Sequence, residues 1–155
     1  MALTHLREEL GTRTIVVYEY DKRFATYGDE FVFWDYKVEL SRDEIKADFL
    51  VVDPPFLTRE CWEKVRGAVF RVSGKYDGFQ KKTEDDTVKD SSAGGQPELC
   101  KLLVCTAKVM TDDIRSLLGC LLTDFEPRHE IRLCNKFGCF VNYNGFGIID
   151  CRVDE

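Results

Sequence analysis

Three acids in this chain each stand directly after a short apolar run. Ile15–Tyr18 is followed by Glu19, Phe31–Trp34 by Asp35, and Phe49–Val52 by Asp53. If the runs are parallel strands of one open sheet, all three carboxylates reach the same edge, where such sheets bind ligands. Taken singly, each acid also fits the plainer role of capping the element that comes next. Glu19 at such an end can accept both hydroxyls of a ribose. Asp35, one strand away, can accept from an adenine amino group. Tyr20 and Tyr36 stand alongside and can flank a nucleoside, or pack as ordinary strand-end rings.

The third acid opens the sequence D-P-P-F. Pro54 and Pro55 have no N–H to give to a ladder, so the strand must stop at Asp53. The result is a stiff corner carrying one carboxylate, prolyl carbonyl oxygens and the Phe56 ring. Carboxylate and carbonyls can accept hydrogen bonds from an amine, and the ring supplies a stacking or cation-facing surface. A nucleoside cofactor beside an amine substrate describes an N-methyltransferase, in which the corner aims a nitrogen lone pair at a methyl donor. The alternative use of the corner is a rigid strand-to-helix turn.

The elements that must position these groups can be read along the chain. THLREEL reads as a helix end closed by Gly11, and Asp21 caps a short helix that stops at Gly28. Ser41 and Glu44 have the spacing of a capping box, and Thr58 caps a helix reaching about Arg71. Leu102–Cys105 is a fourth strand, and Thr111 caps a helix ending before Gly119. Strands near 120–125 and 138–143 come too close together for an intervening helix, so they should pair antiparallel. The four consecutive apolar residues Phe49–Val52 predict a strand covered on both faces. Together these describe an α/β fold with a mostly parallel sheet and an antiparallel last strand. Residues 73–98 break the rhythm, since ten of the 26 are charged and few are apolar; they read as a disordered surface insertion.

The chain of 155 residues suits one domain, 1–155, with a sizeable core. Its net charge of −6 weighs against bare nucleic acid, which asks for a basic field, and suits a basic protein substrate. No secretory pattern opens the chain and no apolar run approaches the roughly 20 residues that span a bilayer. No membrane partner is therefore expected, and a cytoplasmic monomer is. The seven cysteines are irregularly spaced; Cys100/Cys105 and Cys134/Cys139 are each C-x4-C, which points to reduced thiols rather than to zinc.

VYEYDKRFATYGDEFVFWDY, DFLVVDPPFLTREC, KLLVCTA, FEPRH and FGCFVNY together resemble the elongation factor 1-alpha lysine methyltransferase 1 family. That family was once described as N6-adenine DNA methyltransferases because of its D-P-P-[FY] corner. The resemblance covers roughly residues 14–72 and 99–143. It implies a class I, Rossmann-like methyltransferase fold, S-adenosylmethionine as cofactor, and methyl transfer to a lysine of elongation factor 1-alpha without a metal. Carried onto this chain, it makes Glu19 the ribose acid with Tyr20 beside it, and Asp35 the adenine-side acid with Tyr36. Asp53, Pro54, Pro55 and Phe56 become the amine-holding corner. Arg128 and His129 fall in the family's P-R-H segment without a role that follows from chemistry. By the same comparison the first strand and first cofactor motif would lie ahead of residue 1. Two other readings use the same residues: a nucleic-acid adenine N6-methyltransferase, and an inactive chain that still docks on a partner.

Overall fold

The computed structural model describes residues 11, 13–40, 46–73, 100–127, 136–143 and 147. It divides into two compact units, Met1–Val38 and Glu39–Glu155.

In the first unit, β1 (Val17–Glu19) and β2 (Phe31–Phe33) pair in parallel, with Val17 opposite Phe31 and Glu19 opposite Phe33. Between them runs a 3-10 helix, Lys22–Glu30. Asp21 caps it by accepting from the Arg23 N–H at 3.0 Å, as its side chain and position predict. The helix is interrupted at Gly28, where φ is +63°, a conformation a side chain would resist. Gly11 also has positive φ, at +59°. The helix expected ahead of it lies outside the described residues.

In the second unit, β3 (Phe49–Val52) pairs in parallel with β4 (Lys101–Ala107). The last strand, β6 (Phe137–Val141), inserts antiparallel between β4 and β5 (Leu121–Leu122), giving the order β3-β4-β6-β5. The antiparallel closing pair is thus as expected. The strands of the described residues fall into two sheets rather than the single one expected.

Helix α1 (Arg59–Val72) buries Cys61, Trp62, Val65, Ala68, Val69 and Val72. That spacing of three and four residues lays one apolar stripe along the helix. It packs against α2 (Thr111–Leu118), whose Ile114 and Leu118 are buried. Beneath them, Leu102, Val104 and Thr106 of β4 point inward at alternate positions. Trp62, Leu102, Val104, Ile114 and Phe140 are wholly enclosed. Truncating Trp62 to alanine would cost about 3–5 kcal/mol. Arg59 ties the helices at their surface, pairing with Glu63 at 3.1 Å and Asp113 at 2.5 Å.

Three expectations need correction. Phe49–Val52 does form a strand, but not one covered on both faces: Phe49 is 45% and Val51 61% exposed. β3 is an edge strand of its sheet, and an apolar run does not reveal whether a strand ends up central or marginal. Thr111 begins α2 but does not cap it. Its hydroxyl donates to the Lys108 carbonyl at 2.6 Å, because a 3-10 turn, Lys108–Met110, already leads into the helix. Ser73 belongs to the folded unit rather than to the insertion. It is buried, its N–H donates to the Val69 carbonyl at 2.9 Å, and it bridges in parallel with Ala47. Residues 74–98 of that insertion and the Ser41–Glu44 capping box lie outside the described residues.

Candidate functional site

In the first unit, parallel pairing carries Glu19 and Asp35 to neighbouring strand ends. The Trp34 N–H donates to the Glu19 carbonyl at 3.1 Å, beside the Glu19–Phe33 pair, so Asp35 follows two positions past the residue opposite Glu19. Both carboxylates are steadied by the backbone just after them. Glu19 Oε1 accepts from the N–H groups of Tyr20 at 2.8 Å and Asp21 at 2.9 Å. Asp35 Oδ1 accepts from the Lys37 N–H at 2.9 Å, and the Asp35 carbonyl accepts from the Val38 N–H at 2.8 Å, a turn of the kind aspartates favour. Trp34 closes that turn, its indole N–H donating to the Val38 carbonyl at 2.9 Å. Among the described residues, these bonds leave Oε2 of Glu19 and Oδ2 of Asp35 without a partner.

The two tyrosines differ. Tyr20 is 64% exposed, with its ring 5.6 Å from that of Phe33 and tilted by 39°. The Lys22 ammonium lies 5.0 Å from the same Phe33 ring, so an exposed aromatic and cationic patch borders Glu19. Tyr36 is half-buried, with the Lys37 ammonium 5.9 Å from its ring.

In the second unit, Asp53, Pro54, Pro55 and Phe56 leave the end of β3 as the sequence predicts, through trans peptide bonds. Asp53 is exposed and Phe56 is half-exposed, at 50%. The corner is anchored behind by α1. Thr58 caps that helix, its Oγ1 accepting from the Cys61 N–H at 3.3 Å. Burial pushes the Cys61 thiol up, a hydrogen bond from the Phe56 backbone draws it back, and Glu60 adds a smaller rise. The pairing of Val52 with Val104 puts Cys105 of β4 level with Asp53 on the next strand.

Asn142 escapes notice in the sequence. Its amide accepts from the Leu102 N–H at 2.7 Å and donates to the Cys100 carbonyl at 3.0 Å, clamping the start of β4 to the end of β6. Arg128 and His129 lie outside the described residues. No group of three side chains able to hold a metal occurs among the described residues, and no helix among them is long and apolar enough to cross a membrane.

The first unit thus offers two carboxylates at or just after the ends of parallel strands, and the second a D-P-P-F corner after another such strand. A family described as "Probable N6-adenine methyltransferase" matches residues 2–145, and the chain belongs to that family. It is 35% identical over 144 residues to the human protein named EEF1A lysine methyltransferase 1, covering 90% of this chain and 55% of that one. The Danio rerio protein of the same name is 36% identical over 132 residues, covering 83% of this chain and 64% of its own length. A protein-lysine N-methyltransferase of Caenorhabditis elegans is 34% identical over 145 residues, covering 90% and 56%. The chain spans about half the length of most of these curated relatives. No solved structure matches it.

Proposed function

We propose that this chain belongs to an S-adenosylmethionine-dependent protein-lysine N-methyltransferase acting on elongation factor 1-alpha in the cytoplasm. The observation that carries the reading is the Asp53–Phe56 corner, set between β3 and a capped α1 and exposing a carboxylate and a ring. The names of the relatives support lysine as the acceptor. The order β3-β4-β6-β5, with its last strand antiparallel, supports a class I fold.

The cofactor's nucleoside fits the first unit, where Glu19 and Asp35 each keep an oxygen open on neighbouring strand ends. Glu19 would take the ribose hydroxyls and Asp35 the adenine amino group, with Tyr20 and Tyr36 alongside. When bound, the cofactor supplies an electrophilic methyl on a sulfonium centre. Everything else asked of the chain is handling of the amine. A lysine of free pKa about 10.4 is almost wholly protonated at neutral pH and must reach the corner neutral. Exclusion from water lowers that pKa, while Asp53 and the prolyl carbonyls accept the remaining N–H bonds and aim the lone pair. Alignment at near-attack distance supplies much of the rate.

The family's description names adenine instead, and the same corner can present an exocyclic amine of a base. The chain's charge of −6 favours lysine. Incubating the chain with labelled cofactor and either elongation factor 1-alpha or nucleic acid, then identifying the product by mass spectrometry, separates the two. Methyl-lysine is the expected product. N6-methyladenine as the only product would overturn the assignment.

A further inference from the structure

Cys105 of β4 and Cys139 of β6 stand directly opposite each other across the antiparallel pairing. Their sulfurs are 3.4 Å apart, in contact as thiols, and both are free. Opposed residues in an antiparallel pair keep their Cα atoms about 4.5 or 5.5 Å apart, inside the range of about 4.4–6.8 Å that a disulfide accepts. That spacing is compatible with a sulfur–sulfur bond of about 2.05 Å. Cys139 is buried, whereas Cys105 is half-buried on the face that carries exposed Val51 of β3. Asp53, following Val52, is level with Cys105 on the neighbouring strand.

We propose that this pair is a site of reversible oxidation, in which hydrogen peroxide reaches Cys105 first and Cys139 resolves it into an intrachain disulfide. In the first step the Cys105 sulfur forms a bond to one peroxide oxygen, the O–O bond breaks, and water leaves, giving a sulfenic acid. In the second the Cys139 sulfur displaces that hydroxyl, forms the S–S bond and releases a second water. Two thiols lose two electrons and two protons to one peroxide. Burial, the hydrogen bond to Cys139 and the charges of Cys139 and Asp53 push the Cys105 thiol up to about 12. Little thiolate is therefore present at neutral pH, and the first step asks for a sustained oxidant. The second is intramolecular at contact distance and proceeds quickly. The link would tie β4 to β6 one strand behind the Asp53 corner. The site does not depend on the methyltransferase reading.

The test is peroxide treatment of the native chain, followed by non-reducing peptide mapping. The expected result is loss of the mass of two hydrogens, a link between the peptides carrying Cys105 and Cys139, and full reversal by dithiothreitol. A C139S variant should instead accumulate a sulfenic acid at Cys105 that dimedone traps, which also separates Cys139 from Cys151 on the same tryptic peptide. The proposal is overturned if wild-type Cys105 joins another cysteine. It is equally overturned if Cys105 is trapped by dimedone unlinked, or stays a thiol at peroxide doses that oxidise other cysteines of the chain.

Discussion

The backbone N–H of Trp34 donates to the carbonyl of Glu19 at 3.1 Å, and this bond sets Asp35 two positions past the residue paired with Glu19. The Glu19 and Asp35 carboxylates therefore emerge at or just after adjacent strand ends. Their backbone bonds fall on one oxygen each.

Cofactor affinity should depend on both acids. Glu19→Gln keeps an acceptor for the Tyr20 and Asp21 N–H groups but loses the charge that a ribose would meet. Asp35→Ala removes its acceptor altogether. Hydrogen bonds to charged groups contribute about 1.5–3 kcal/mol, so each change should weaken S-adenosylmethionine binding by roughly 10- to 100-fold. Isothermal calorimetry reads this directly, and unchanged affinity in both variants would remove these acids from the cofactor site.

The corner's anchoring can be tested through Thr58. Thr58→Ala removes the acceptor of the Cys61 N–H and should cost about 1 kcal/mol of stability, read as a lower urea midpoint at unchanged slope. Thr58→Ser keeps the hydroxyl and should recover most of the loss. A serine variant as unstable as the alanine one would show that the methyl group, not the cap, matters.

The buried thiols set an alkaline limit. Burial pushes Cys120 from 9.0 up to about 12. Between those values the unfolded chain has released this proton and the folded one has not. Unfolding is therefore favoured as pH rises, and the thiol's stabilising share, complete below about 9, is lost on the way to about 12. The loss is at most about 1.4 kcal/mol per pH unit. Cys120→Ala should flatten the fall of the urea midpoint with pH over that window relative to wild type. An identical slope in the two proteins would mean the thiol titrates alike folded and unfolded.

What the sequence discloses here is what short-range chemistry decides. Asp21 and Thr58 cap because an oxygen two or three residues ahead of an N–H suffices, and Gly119 stops a helix and Gly28 interrupts one because glycine adopts positive φ comfortably. The antiparallel meeting of β5 and β6 follows from the lack of room for a crossover. Long-range outcomes stay hidden. Four apolar residues made Phe49–Val52 look central, yet β3 lies at the edge of its sheet. The contact of Cys105 with Cys139 depends on register across 34 positions, whereas the visible C-x4-C spacings pair neither with the other. For the candidate site, chain order located Glu19, Asp35 and the Asp53 corner at strand ends. It could not disclose that Glu19 and Asp35 each spend one oxygen on their own backbone.

The most direct measurement is methyl transfer to elongation factor 1-alpha by the wild-type chain and by Asp53→Asn, with S-adenosylmethionine affinity measured on both. An amine aimed by Asp53 requires that incorporation fall by about 100-fold or more while affinity stays the same, since the group orients the acceptor and not the donor. Methylation at the wild-type rate by Asp53→Asn, or a loss explained wholly by weaker cofactor binding, would contradict the role of this corner.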